Sequence, residues 1–228
     1  MPRNPSPVMH LFAIFGAGGF GREVMPAAVH SVAQRGDCDD CETVFVVDTP
    51  TESQVNGHRV ISTERFLADP RSKHFNVAVA DSAHRQQIAA LLTAGGAEPF
   101  EVRAAHHVTL EHSTVAEGAI LCPFTTITSN ARIGRFFHLN IYGYVAHDCV
   151  IGDFVTFAPA VRCNGRVVIE DHAYIGTGAV IREGSDKRPI VIGRGAVVGM
   201  GAVVTRSVAA GQTVVGNPAA AFTRDPRA

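Results

Sequence analysis

The sequence predicts an α/β domain of the Rossmann type followed by an all-β parallel β-helix. Strand-like and helix-like segments alternate up to about residue 103, and branched apolar residues then recur at every sixth position. The composition agrees, since charged residues make up 18% and aromatic residues 7% of the chain, with 22 glycines and no tryptophan. With 228 residues, 46% of them hydrophobic, the chain is long enough for two small cores.

The first domain follows from apolar segments that alternate with helical patterns. The predicted strands are 11–15, 43–47 and 76–80, and the predicted helices are 22–34 and 83–92. In the second helix we expect the apolar side to contain Ile88, Leu91 and Leu92. Such alternation with short turns is typical of a small parallel α/β unit. We therefore assign 1–10 to a polar tail and 11–105 to a Rossmann-like domain.

The second domain follows from a six-residue period that neither a helix nor an ordinary strand produces. The inward positions are Val115, Leu121, Ile127, Ile133, Leu139, Val145, Ile151, Phe157, Cys163, Ile169, Ile175 and Ile181. After a break at 183–189, predicted to be a loop insertion, the period resumes at Ile192, Val198, Val204 and Ala210. Three hexads close one triangular coil, and coils stack at the strand spacing of about 4.8 Å. We expect glycine, aspartate and asparagine at the corners, and we assign 106–228 to this β-helix.

Charge and cysteine content exclude several classes of protein. The net charge of −1 argues against a nucleic-acid binder or a polybasic membrane-surface protein. No apolar run approaches the roughly 18 residues of a membrane span, so we expect no membrane insertion. The five scattered cysteines indicate reduced thiols and a cytoplasmic protein. We interpret the lone CxxC motif of Cys38 and Cys41 as a surface loop, with zinc or redox chemistry as the weaker alternative.

The hexads VAEGAI, VAHDCV, IGDFVT, IEDHAY, IGTGAV and IGRGAV resemble those of the hexapeptide-repeat acyltransferases, which form left-handed parallel β-helices. With its Gly-rich α/β domain, the chain resembles bacterial sugar acetyltransferases over about residues 10–220. These include amino-sugar N-acetyltransferases and sialic acid O-acetyltransferases. The resemblance implies a homotrimer that binds acetyl-CoA between neighbouring β-helices and acts in the cytoplasmic synthesis of activated sugars.

His147 is the predicted general base, because imidazole titrates near the working pH and its hexad position points outward. Asp148 is predicted to orient it. In the resembled N-acetyltransferases a histidine followed by an acidic residue has this role. Asn140 matches an asparagine of those enzymes and either contacts the sugar or forms a turn. His138 and His172 raise the alternative of a zinc site. Stacked residues are 18 apart whereas His147 and His172 are 25 apart, so the ligands would not converge within one chain and we expect no metal, with a site shared between subunits as the alternative. His106, His107 and His112 are expected to be solvated.

The acetyl-CoA site is implied by the same resemblance. Asn164 and Gly165 match a corner where the thioester approaches the backbone, and main-chain N–H groups there would polarise its carbonyl. The other expected acetyl-CoA contacts are Thr177, Gly178, Met200, Gly201 and Pro218. The family usually has a basic residue where this chain has Ala220, so the resemblance does not assign the contact with the 3′-phosphate there, and Arg224 is the alternative.

Gly16, Gly18 and Gly21 form a G-x-G-x-x-G motif after a strand and before a helix, which fits a pyrophosphate. The predicted contacts of a nucleotide sugar are Gly18, Gly19, Phe20, Asp48 and Arg85. The alternatives are an NAD-dependent oxidoreductase, for which the domain is too short, and a glycine turn that serves packing alone.

We predict an acetyl-CoA-dependent N-acetyltransferase that acts on a nucleotide-linked 4-amino-deoxy sugar in bacterial surface glycan biosynthesis, by direct transfer. One alternative is an O-acetyltransferase of a sugar or sialic acid hydroxyl. The alternative from another class is a non-catalytic β-helix scaffold that binds a nucleotide.

Overall fold

The computed structural model describes residues 10–36, 38 and 41–222. The chain forms two compact units that divide between Ala104 and Ala105. Among the described residues, no helix is long and apolar enough to cross a membrane.

The first unit is built around a six-stranded sheet with the order β3-β4-β2-β1-β5-β6. Its strands are β1 (His10–Phe15), β2 (Cys41–Val47), β3 (Gln54–Val55), β4 (His58–Ser62), β5 (Ser72–Val77), β6 (Glu98–Pro99) and, outside this sheet, β7 (Val102–Arg103). Neighbours pair in parallel except β3 with β4. β1 lies at the centre, where residues 11–14 have no exposed surface. This burial explains why its sequence is continuously apolar.

Three helices complete the first unit: α1 (Gly19–Ala33), α2 (Thr63–Leu67) and α3 (Ser82–Ala94). Asp81 begins α3 as its N-cap, because its side chain accepts a hydrogen bond of 2.7 Å from the N–H of His84. Ile88 and Leu92 are buried as predicted, but Leu91 is 52% exposed and lies outside the core. Sequence analysis did not predict β3, β4, α2 and β6, which are too short to show a period.

The second unit is a parallel β-helix of short strands. They are β8 (Val108–Thr109), β9 (Thr114–Val115), β10 (Ile120–Leu121), β11 (Thr126–Ile127), β12 (Arg132–Ile133), β13 (His138–Leu139), β14 (Tyr144–Val145), β15 (Val150–Ile151), β16 (Thr156–Phe157), β17 (Arg162–Cys163), β18 (Val167–Ile169), β19 (Tyr174–Ile175), β20 (Val180–Ile181), β21 (Ile190–Ile192), β22 (Val197–Val198), β23 (Val203–Val204), β24 (Thr213–Val215) and β25 (Ala220–Ala221). All pair in parallel except β24 with β25.

The predicted register of the β-helix is confirmed. Arg132 pairs with Val150, and Val150 pairs with Val168, which is one coil of three hexads each time. Across the insertion Val168 pairs with Val191, so the loop adds the five residues by which the period shifted. The prediction for Ala210 is wrong, because this residue is exposed. Val208 and Val214 fill the last part of the core instead.

The corners of the β-helix agree only in part with the expectation of glycine, aspartate and asparagine, which Gly118, Asn130 and Asp148 meet. Several positions with positive φ carry rings, and the rings of successive coils stack because the coils are in register. One stack, which we call the exposed aromatic ladder, consists of His106, Phe124 and Tyr142, with ring centroids 5.1 and 5.4 Å apart. Phe124 is 55% and Tyr142 61% exposed. Stacking between coils compensates for the cost of a left-handed backbone in a bulky residue.

The cysteines differ in part from the expectation of free thiols. Cys122, Cys149 and Cys163 are free and buried. Cys38 and Cys41 instead form a disulfide with each other, so the prediction of a reduced surface loop is wrong for this pair.

Candidate functional site

The predicted base lies at a corner of the β-helix, two residues after β14. The side chain of His147 is 43% exposed, and its Nδ1 lies 2.8 Å from Oδ2 of Asp148. Because the carboxylate accepts a hydrogen bond from Nδ1–H, the tautomer leaves Nε2 as the unprotonated nitrogen. The pair therefore has the arrangement that general-base catalysis requires.

Asp148 is held in its charged form by its surroundings. Its pKa lies below the ordinary value, chiefly because of the hydrogen bond with His147, with further contributions from Asn130 and the positive charge of Arg166. Asp148 itself occupies a corner with φ of 59°, a conformation that aspartate tolerates better than most residues. The backbone of this corner directs the carboxylate back toward the preceding imidazole.

Gly165 forms the surface against which the imidazole of His147 rests. A Cβ atom placed on Gly165 would lie 2.5 Å from Cε1 and 2.6 Å from Nε2 of His147. The two residues are 18 apart, so the stacking of coils brings them together. Glycine is needed here for space, since any side chain would displace the ring.

The main-chain N–H groups at residues 164–166 are not equivalent. The N–H of Asn164 donates to the carbonyl of Ile181 at 3.3 Å, and the N–H of Arg166 donates to the carbonyl of His147 at 3.0 Å. Among the described residues, the N–H of Gly165 has no such partner. Of the main-chain N–H groups that we expected to polarise the thioester carbonyl, that of Gly165 is therefore the one left to donate. The Asn164 side chain supports the corner by accepting from the Tyr144 hydroxyl at 2.9 Å and donating to Ile181 at 2.7 Å.

Sequence analysis missed three charged residues that are linked to the pair of His147 and Asp148 through ion pairs. Oε1 of Glu183 lies 3.7 Å from Nε2 of His147 and 2.8 Å from Nη1 of Arg166. Arg166 also forms an ion pair of 2.6 Å with Asp186 and approaches Asp148 to 3.8 Å. The hydrogen bond with Asp186 is the main reason why the pKa of Arg166 lies above its ordinary value. One signal was available, because Arg166 lies 18 residues after Asp148 and Glu183 opens the insertion.

The other predicted acetyl-CoA contacts lie on later coils. The N–H of Gly201 donates to the carbonyl of Thr177 at 2.8 Å, which places these residues on adjacent coils. Met200 is 81% exposed. Gly178 is half-buried and Pro218 is exposed. Arg224 lies outside the described residues. Contact of these residues with acetyl-CoA stays a prediction.

Asn140 and His107 have hydrogen-bond partners within the β-helix. The Asn140 side chain donates to the carbonyl of Phe157 at 2.7 Å, which leaves its oxygen for a ligand. The prediction that His107 is solvated is wrong, since it is buried and bonded to Thr109 and Thr125, each at 2.7 Å. Within the described part of the chain, no group of three or more His, Cys, Asp or Glu residues could hold a metal ion.

The first unit contains a cleft of about 280 Å³ at the carboxyl ends of β1 and β2. Its lining residues are Ala17, Gly18, Val47, Thr49, Thr51, Glu52, Val55 and Val60. A lining of apolar side chains together with hydroxyl and carboxylate groups suits a nucleoside. Such folds bind ligands at the carboxyl ends of their parallel strands.

The glycines of the loop have two different functions. A Cβ on Gly21 would lie 1.8 Å from the carbonyl oxygen of Gly16, so Gly21 is required for packing. Gly18 and Gly19 have nothing within 4 Å of a Cβ and leave the start of α1 open. Of the predicted contacts in this unit, Gly18 lines the cleft, whereas Gly19, Phe20 and Asp48 are not among its lining residues. Asp48 accepts a hydrogen bond of 3.0 Å from the Thr63 hydroxyl.

The prediction for Arg85 is wrong. Its side chain has no exposed surface and donates to the carbonyl of Val79 at 2.8 Å, so it cannot reach a diphosphate from this position. Burial lowers its pKa to about 9, against a smaller opposite effect of Asp81. Arg85 stabilises the end of β5 from inside the unit.

Residues 12–92 match the family model of the PglD N-terminal domain. The chain is 51% identical over 220 residues to a GDP-perosamine N-acetyltransferase of Escherichia coli O157:H7, with 96% of this chain and 99% of that protein covered. Among solved structures, WeeI from Acinetobacter baumannii AYE is 47% identical with a TM-score of 0.88, over 94% of this chain and all of that one.

A further solved structure is the acetyltransferase domain of PglB from Neisseria gonorrhoeae FA1090 in complex with acetyl coenzyme A. It is 28% identical with a TM-score of 0.82 over 93% of this chain and 98% of that one. These likenesses over nearly the whole length confirm the predicted fold class, a Rossmann-like domain followed by a left-handed parallel β-helix.

Proposed function

Since this chain belongs to the hexapeptide-repeat sugar acetyltransferase family, we propose that it transfers the acetyl group of acetyl-CoA to the amino group of GDP-perosamine or a closely similar GDP-linked amino sugar. The observation that carries this proposal is the identity of 51% over nearly the whole length of a GDP-perosamine N-acetyltransferase. The site also favours an amine acceptor. Asp148 and Glu183 lie on either side of the His147 imidazole, and their negative charges attract an amine in its ammonium form.

The proposed mechanism is direct transfer. The sugar amine attacks the thioester carbonyl, and Nε2 of His147 accepts the proton that the nitrogen loses as the C–N bond forms. Asp148 stabilises the imidazolium and holds its orientation, as its hydrogen bond of 2.8 Å supports. The N–H of Gly165 would donate to the oxyanion. The C–S bond then breaks, and the proton passes from His147 to the thiolate of CoA.

The nucleotide is proposed to bind in the cleft of the first unit. Gly18 lines this cleft, and the open start of α1 at Gly19 offers N–H groups to a diphosphate. Phe20 and Asp48 flank this region in the sequence and remain proposed contacts. Asn140, Asn164, Thr177, Gly178, Met200, Gly201 and Pro218 remain proposed contacts of sugar and acetyl-CoA.

The enzyme is proposed to be a homotrimer in the cytoplasm. The exposed aromatic ladder supports an association of copies, because contiguous exposed rings such as Phe124 and Tyr142 mark interaction surfaces. Light scattering tests the assembly: we expect the mass of three chains of 24.2 kDa each, which Tyr142→Glu should reduce. A monomeric wild type would contradict it.

The activity is tested with the purified full chain, acetyl-CoA and GDP-perosamine. We expect release of the CoA thiol and a product heavier by one acetyl group. The matched control is GDP-6-deoxymannose, which has a hydroxyl in place of the amine and should not react. Transfer to the hydroxyl sugar would favour an O-acetyltransferase, and absence of CoA release with both sugars, without binding of acetyl-CoA, would favour a scaffold.

A further inference from the structure

The insertion loop brings a carboxylate to the nitrogen of His147 that faces the acceptor. Oε1 of Glu183 is 3.7 Å from Nε2, and the side chain is 51% exposed. Neither the hexads nor the His-Asp pair requires a carboxylate at this place. It lies on the opposite side of the imidazole from Asp148, which contacts Nδ1.

The charges around Nε2 favour a cation. The carboxylates that contact the imidazole are those of Glu183 and Asp148, and Arg166, which lies within 4 Å of both, contributes one positive charge. Carboxylates are charged at neutral pH, and an amine with a pKa near 8 is then largely ammonium. Such an acceptor therefore approaches His147 as a cation and meets an excess of negative charge.

The distance between the two acceptor atoms suits one nitrogen. A nitrogen about 2.9 Å from both Nε2 and Oε1 would see these atoms at an angle of roughly 80°, given their separation of 3.7 Å. The angle between two N–H bonds of an ammonium group is about 109°, so each hydrogen bond would bend by only about 15°. One ammonium group can thus donate to His147 and Glu183 together.

We infer that Glu183 is the residue that captures the acceptor amine in its ammonium form and presents it to His147, with Arg166 fixing the position of the carboxylate. This inference rests on the proposed function. Between ammonium and amide the nitrogen loses two protons. The first proton passes by way of the exposed Glu183 carboxylate to water, which restores the lone pair of the acceptor nitrogen. His147 takes the second as the C–N bond forms and delivers it to the CoA sulfur as the C–S bond breaks.

The test compares Glu183→Gln with Asp186→Asn. Both substitutions remove a carboxylate that bonds Arg166, but only Glu183 lies close to His147. In Glu183→Gln we expect the KM for GDP-perosamine to rise about tenfold at pH 6.5, where the amine is charged, and at most about twofold at pH 9. The KM for acetyl-CoA should stay unchanged. Asp186→Asn should keep the pH dependence of the wild-type KM.

The outcomes separate this inference from the function on which it rests. If the wild type is active and the KM of Glu183→Gln rises equally at both pH values, or not at all, capture of the ammonium by Glu183 is wrong while the activity stands. An equal pH-dependent loss in Asp186→Asn would also overturn it, since the effect would then belong to Arg166. A wild type that neither turns over nor binds GDP-perosamine in calorimetry would overturn the proposed function and the inference with it.

Discussion

The β-helix unit and the α/β unit position their site residues by opposite means. In the β-helix, His147 rests on Gly165 and Asp148 faces Arg166 because each pair is one coil apart, so the repeat itself brings them together. In the α/β unit, the cleft joins Gly18 after β1 with Glu52 and Val60 from later elements. No period relates these residues. In a regular repeat, the separation of two residues in the sequence determines the distance between them in space. In the α/β unit, that distance depends on tertiary packing.

Gly21→Ala should have the largest effect and should disrupt the α/β unit. The added Cβ would lie 1.8 Å from the carbonyl oxygen of Gly16, and main chain cannot yield as a flexible side chain does. We expect a loss of more than about 3 kcal/mol in the free energy of unfolding, measured by urea denaturation of the full chain. Gly19→Ala is the control, since nothing lies within 4 Å of its Cβ. Equal stability of the two variants would contradict the separate functions of these glycines.

Gly165→Ala should affect catalysis instead of folding. Its Cβ would lie 2.5 Å from the imidazole of His147, so the ring must move by an ångström or so. We expect kcat to fall about 100-fold, with the melting temperature nearly unchanged. The same substitution in a His147→Ala background provides the control and should cause no further loss. A full additional loss there would show that Gly165 acts independently of His147.

Asp69→Asn should have the smallest effect of these substitutions. It removes the charge that Asp69 contributes to an ion pair with Arg71 in the α/β unit. The hydrogen bond from Arg71 lowers the pKa of Asp69 from 3.8 to about 2. Because the folded-state pKa is depressed, the stabilisation is present above pH 4 and is lost as the pH falls toward 2. We expect Asp69→Asn to reduce the free energy of unfolding by about 1–2 kcal/mol at pH 7.

The stability difference between Asp69→Asn and the wild type should decrease at low pH. At pH 2, where about half of the Asp69 carboxyl is protonated, the stability difference in urea denaturation should fall below about 0.5 kcal/mol, whereas Glu64→Gln, on the exposed side of α2, should change little at either pH. A stability difference that persists unchanged at pH 2 would contradict the assigned role of the Asp69 carboxylate.

The two units also differ in how much the sequence predicted. The hexads predicted the inward residues from Leu121 to Val204, and the register makes the contact between His147 and Gly165 readable from a spacing of 18. The contact between Glu183 and His147 was not predicted, because Glu183 opens the insertion at which the period breaks. In the first unit the order of the main strands and helices was predictable. The burial of Arg85 was not, because it depends on packing between elements.

We propose that the register of the β-helix presents His147 as the base for the amine. The most direct measurement is kcat of His147→Ala with GDP-perosamine and saturating acetyl-CoA, together with the melting temperature. A general base contributes about 10²- to 10⁴-fold, so we predict a fall of that size in a variant as stable as the wild type. A stable His147→Ala variant that retains near-wild-type kcat would contradict the claim.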